Sequence, residues 1–105
     1  MSAHVVEALV ELAPDADPAA VGAAVTVALC GDWRHSGPCR WPHNNAIEGS
    51  AFRTLYVAPD AEREDVARRI EEALRGSAEW TVLSVGRRDV AAAERELAAR
   101  LAAGP

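Results

Sequence analysis

The tripeptide Ala-Pro-Asp occurs twice, at Ala13-Pro14-Asp15 and Ala58-Pro59-Asp60, each time between an alternating apolar run and a helical stripe. Proline cannot continue a strand ladder, and Asp nearby favours turns and helix starts. The two copies therefore read as one strand-to-helix turn used twice. No longer internal repeat of the solenoid kind is present.

Ahead of the first copy, His4 to Leu12 alternates. Val6, Ala8, Val10 and Leu12 fall on one face; Val5, Glu7, Leu9 and Glu11 fall on the other. Behind it, Asp17 is a candidate N-cap and Pro18 suits the first helical position. Val21, Ala24, Val25, Ala28 and Leu29 then make an apolar stripe that closes at Gly31, placed as a C′ glycine. Ahead of the second copy, Phe52 to Val57 is rich in aromatic and β-branched residues and reads as a strand. Behind it, Val66, Ile70, Ala73 and Leu74 face inward on a helix that Gly76 ends. Glu64 with Arg68, Asp65 with Arg69 and Glu71 with Arg75 are i,i+4 pairs on its solvated side.

Three further elements complete the order. A strand is expected from about Cys39 to Ile47, joined to the next by a turn at Gly49-Ser50. Trp80 to Val85 is the last strand. Asp89 is expected to cap a C-terminal helix with a thin seam of Val90, Ala93, Leu97 and Leu101. The sequence β-α-β-β-α-β plus a helix implies an α+β, ferredoxin-like sandwich as a single domain over residues 1–105. Right-handed crossovers give its antiparallel sheet the order 4-1-3-2.

In that fold two helices cover one face of the sheet. Unbroken alternation puts Val6, Ala8, Val10, Leu12, Leu55, Val57, Leu83 and Val85 on the covered face. The open face then carries Val5, Leu9, Phe52, Thr54, Tyr56, Trp80 and Val82. So apolar a row is expected to pair with a second copy, giving a homodimer, with the C-terminal helix covering part of it at most.

The chain has 105 residues and a net charge of −5. That charge argues against a nucleic-acid or anionic-membrane partner, both of which need a basic footprint. His4 and Glu7 interrupt the first apolar run, so no signal peptide is read there, and no run approaches a membrane span. The expected setting is cytoplasmic, where Cys30 and Cys39 would be reduced thiols; the eight-residue loop between them also permits a disulfide, as a redox switch rather than a structural element.

Chemistry-bearing residues concentrate between Cys30 and His43. This stretch holds both cysteines, two of the three histidines (His35 and His43) and two of the three tryptophans (Trp33 and Trp41). The expected topology brings it to the sheet end where the first strand begins, beside His4. Soft ligands of this kind suit zinc, nickel or copper. The candidate metal set is His4, Cys30, His35 and Cys39, although no metal is required. The spacing C-x4-H-x3-C-x3-H matches no zinc-finger pattern. An extended run from Cys39 to His43 would hold those side chains roughly 13 Å apart at about 3.3 Å per residue. His43 is therefore expected to lie apart.

Two other readings use the same residues. Cys39 would be a nucleophile if His35 or His4 activated it. Trp33 and Trp41 would wall an apolar ligand pocket, with Arg34, Arg40 or Arg53 holding an anionic group; alternatively the aromatics close the open end of the core. The candidate ligand-binding residues are thus His4, Trp33, Arg34, His35, Cys39, Arg40, Trp41 and His43. The function expected is a homodimeric module that binds a small molecule or metal, in a regulatory role. The alternative is a small dimeric enzyme of the α+β-barrel kind, acting on an organic substrate between sheet and helices. No GxGxxG or P-loop supports a nucleotide cofactor.

Overall fold

A computed structural model describes residues 1–31 and 40–103 of the chain. Strand β1 (Ser2–Leu12) is followed by helix α1 (Ala19–Cys30), strands β2 (His43–Glu48) and β3 (Ala51–Ala58), and a 3-10 turn (Asp60–Glu62). Helix α2 (Arg63–Arg75), strand β4 (Trp80–Arg88), a second 3-10 turn (Ala92–Glu94) and helix α3 (Arg95–Ala103) complete it. All strand pairs are antiparallel, in the order β2-β3-β1-β4, which is the expected 4-1-3-2 read from the other edge.

Local chemistry accounts for the element boundaries. The Asp17 carboxylate accepts the Ala19 backbone N–H at 2.9 Å, an early orphan donor of α1. Gly31 ends α1 at φ 76°, and its N–H reaches the Val27 carbonyl at 2.8 Å. Only a residue without Cβ takes that conformation cheaply. Gly49, at φ 60°, does the same in the two-residue turn between β2 and β3. Strand β2 begins at His43, four residues later than the sequence suggested.

Helices α1 and α2 pack together on one face of the sheet. Val21, Val25 and Leu29 meet Val66, Ala67, Ile70 and Leu74 over Val6, Ala8, Val10, Phe52 and Tyr56. Burying each large aliphatic side chain here contributes about 1.5–3 kcal/mol. Trp41 and Trp80 close this core, 4% and 6% exposed. The Trp80 indole N–H donates to the Leu74 carbonyl at 2.7 Å and the Tyr56 hydroxyl to the Arg63 carbonyl at 3.0 Å.

This arrangement corrects the expected faces. The assignment for β1 holds, but Phe52, Thr54 and Tyr56 of β3 lie under the helices, and Leu55 lies on the far face. In β4 the register shifts at a bulge opposite Leu9 and Val10. Ser84 then faces Leu9 and Val82 faces Val10, with Leu83 the extra residue, so parity flips within one strand. Trp80, Val82 and Val85 are on the covered side, and Leu83 is 59% exposed. The aromatic row expected on the open face is therefore interior.

Helix α3 covers part of the second face. Val5, Leu55 and Ala98 are buried together, with Ala3, Val90, Leu97 and Leu101 around them. Arg53 fastens the segment. Its guanidinium donates to both Glu94 carboxylate oxygens at 2.7 Å, to Glu7 at 2.9 Å and to the Asp89 carbonyl at 3.0 Å. Glu94 also accepts the Ala91 N–H at 2.8 Å and so caps this segment, the role expected of Asp89.

Candidate functional site

The late start of β2 decides the site. His4 pairs with Tyr56 across β1 and β3, and Tyr56 pairs with His43 across β3 and β2. The three side chains form one row at one end of the sheet, facing the α1/α2 layer, with Tyr56 central and buried. The histidines stand two strand spacings apart, roughly 10 Å.

His43 lies at the C-terminal end of α1. Its Nδ1 is 3.8 Å from Cys30 Sγ and 3.0 Å from the Trp41 carbonyl oxygen. A carbonyl only accepts, so Nδ1 carries the proton there. Nε2 then accepts from the Thr26 hydroxyl at 3.0 Å. Asn45 donates to Thr26 Oγ1 at 3.1 Å and to the Gly22 carbonyl at 3.0 Å, and its Oδ1 accepts the Thr54 hydroxyl at 2.9 Å. Gly22 lets the two elements cross closely: a Cβ there would sit 3.3 Å from Asn45 Cβ, a tight contact that Asn45 would have to yield to by a few tenths of an ångström. Thr26 and Thr54 are buried, and no buried side-chain polar atom among the described residues lacks a partner.

Cys30 is disulfide-bonded, which corrects the expected reduced thiol. The chain's other cysteine, Cys39, lies outside the described residues, as do Trp33, Arg34 and His35. Among the described residues, no three His, Cys, Asp or Glu side chains gather closely enough to hold a metal ion.

His4 belongs to a separate group. Its Nε2 is 3.3 Å from Ser2 Oγ and 3.7 Å from an Asp60 carboxylate oxygen, and Ser2 hydrogen-bonds Asp60. Its ring is tilted against Tyr56, with centroids 5.4 Å apart. Burial, followed by the nearby Arg63 charge, lowers its pKa, against the opposing pull of Asp60. Burial likewise raises that of the Tyr56 phenol. His4 was expected to join Cys30; instead, among the described histidines, His43, expected to lie apart, is the one beside it.

Arg40, Arg53 and Trp41 all make contacts within the fold. The Trp41 indole N–H donates to Glu62 at 2.9 Å. The Arg40 and Arg69 guanidinium carbons stand 4.6 and 5.0 Å from its ring centroid, in cation–π range. Arg40 also pairs with Glu62 at 3.4 Å. Trp41 thus closes the core end, and Arg53 clamps the segment that leads into α3. Two surface grooves border α1. One, of about 470 Å³, is lined by Ala20, Ala23, Ala24, Val27, Ser77, Glu79 and Trp80. The other, of about 250 Å³, runs beside Gly22, Asn45 and Phe52. Neither lining holds a pair of groups suited to acid–base catalysis.

Sequence reasoning missed Thr26, Asn45, Gly22 and Thr54. A signal was present: Thr26 is the only hydroxyl on an otherwise apolar helix, and Asn44-Asn45 is out of place in a strand. Comparison with protein-family models, curated proteins and solved structures found no match for this chain.

Proposed function

We propose that this is a ferredoxin-like, non-enzymatic module that binds a soft divalent metal, zinc foremost, at the end of α1. The single observation that carries the reading is the approach of Cys30 Sγ to His43 Nδ1, 3.8 Å. Zinc–sulfur and zinc–nitrogen bonds of about 2.3 and 2.0–2.1 Å at a tetrahedral angle separate two ligand atoms by roughly 3.6 Å. The match is within a few tenths of an ångström. A metal-ligating histidine needs a partner on its other nitrogen. Thr26 stands there, held in turn by Asn45. With Nδ1 on the metal, the His43 proton moves to Nε2 and Thr26 Oγ1 becomes the acceptor. The cost is the bond to the Trp41 carbonyl, two residues before β2 begins.

The late start of β2 removes the distance objection to His43. His35 and Cys39 fall between the two ligands in sequence and are the further ligands expected; His4, across Tyr56, is left out. Thiolate ligation requires the reducing setting of a cytoplasmic protein. No helix among the described residues is long and apolar enough to cross a membrane. A homodimer in this reading uses what α3 leaves uncovered of the second sheet face, where Leu9 is 46% and Leu83 59% exposed.

The test is metal analysis of untagged, reduced protein, followed by titration with zinc against a chromophoric chelator. One zinc per chain is expected, weakened at least tenfold in His43→Ala. Reduced wild-type protein that takes up no zinc, nickel or copper sinks the proposal.

A further inference from the structure

The solvent side of α1 carries no charge. Ala19, Ala23 and Val27, each a turn apart, are exposed there, and no Asp, Glu, Lys or Arg occurs within Ala19–Cys30. A surface helix ordinarily turns a polar face to water. Its neighbour α2 does so, with Glu64, Asp65, Arg68 and Arg69 exposed. The departure in α1 borders the larger of the two grooves, about 470 Å³, whose helical wall is Ala20, Ala23, Ala24 and Val27. That volume falls in the range of small-molecule sites, roughly 300–1,000 Å³. From Ala20 to Val27 the wall runs roughly 10 Å, at about 1.5 Å per helical residue.

Trp80, Ser77 and Glu79 complete the lining. Trp80 spends its indole N–H on the Leu74 carbonyl, so it offers the groove apolar ring. Ser77 Oγ accepts the Glu79 N–H at 3.1 Å, which leaves the hydroxyl its own proton to donate. Glu79 is the one charged residue of the lining; it is exposed, and among the described residues no ion pair engages it. Its carbonyl accepts the Ala13 N–H at 2.8 Å, which ties it to the turn leading into α1, where Asp15 and Asp17 are also exposed. The partial positive charge of the α1 N-terminus, about half a unit, is outweighed by these carboxylates.

An apolar wall with an anionic mouth matches an apolar body with a cationic end. We propose that this groove binds a small amphiphilic amine, its body between α1 and Trp80 and its ammonium at Glu79. Exposed ion pairs contribute little in water, so Glu79 selects the charge while the apolar wall supplies most of the affinity.

Three probes with the same ring separate these contributions. Phenethylamine, phenethyl alcohol and phenylpropionate carry a cation, no charge and an anion at neutral pH. Each is titrated at low salt into the full isotope-labelled chain and followed by amide shifts. The proposal requires saturable shifts at Ala20, Ala23, Val27, Ser77 and the Trp80 indole N–H, with the amine about threefold tighter than the alcohol and the carboxylate weakest. Glu79→Gln, at an exposed position, should abolish the preference for the amine and leave the alcohol's affinity within about twofold. Ala23→Leu, at an exposed position and with a good helix former, should fill the groove and weaken binding of every probe several-fold. Absence of saturable shifts at millimolar amine overturns the site. Equal affinity for the three probes, or an amine preference that survives Glu79→Gln, overturns the cationic class. Shifts at these residues that follow protein concentration with no probe present assign the groove to a second copy and overturn the proposal.

Discussion

At the scale of single residues, Thr26 is the hinge of the buried polar network, because its hydroxyl serves His43 and Asn45 at once. Thr26→Val keeps the shape and removes both bonds. It leaves His43 Nε2 and one Asn45 N–H without that partner, and an unsatisfied buried polar group costs about 1–3 kcal/mol. Chemical denaturation of the variant should therefore show a loss of that size, with an unchanged denaturant slope. A variant as stable as the parent would mean that water or a rearranged Asn45 replaces the hydroxyl. The residues that carry this network are short and polar. Their types are ordinary in a sequence, so only Thr26, alone among apolar neighbours, announces itself.

At the scale of elements, α3 packs on Val5 and Leu55, and one guanidinium fastens the segment that leads into it. Arg53 makes four hydrogen bonds to Glu94, Glu7 and the Asp89 carbonyl, and its side chain is 25% exposed. Charged hydrogen bonds of this kind contribute roughly 1.5–3 kcal/mol. Arg53→Met should lose about 2–3 kcal/mol and raise amide exchange along residues 92–103. The hydrogen bond from Arg53 lowers the Glu94 pKa, outweighing burial. A carboxylate depressed on folding stabilises the protein fully above its unfolded pKa of about 4.3 and loses that contribution as pH falls through the lower folded value. Acid should therefore loosen α3 below about pH 4. Glu94→Gln should flatten the stability slope in that window, which thermal melts across pH 2.5–5 (approximately) would measure. A slope unchanged in Glu94→Gln would place the acid sensitivity elsewhere.

At the scale of the whole molecule, the sheet is covered by two helices on one face and by one short helix on part of the other. A chain ending at Asp89 lacks α3 and uncovers Val5 and Leu55, now 1% and 2% exposed. Exposing each costs about 1.5–3 kcal/mol and makes an apolar patch next to Leu9. Sedimentation should find this shorter chain in larger assemblies than its parent, with a lower Tm. If the shorter chain matches its parent in both, α3 is dispensable to the fold. Trp80→Glu, which an exposed Trp80 would have made a clean probe of dimerisation, should instead unfold the protein. Its indole is buried and bonded to Leu74.

The sequence by itself determined the order of elements, the caps at Asp17 and Gly31, the strand order and the face of β1. Each follows from local chemistry or from short-range periodicity: a glycine at positive φ, a proline that ends a ladder, a run that alternates without interruption. Tertiary structure alone decided the faces of β3 and β4: pairing with β1 sets Thr54 opposite Val6 and Leu55 opposite Val5, and a single bulge at Leu83 inverts the side chains of β4 on either side of it and leaves no mark on composition. It also decided that β2 begins at His43. Strand pairing with β3, not the local run from Cys39, sets that boundary, and four residues of shift replace His4 by His43 at Cys30. The partners of Arg53 lie 46 residues before it and 41 after it, at Glu7 and Glu94. No local pattern joins them; the sheet register and the fold-back of α3 do.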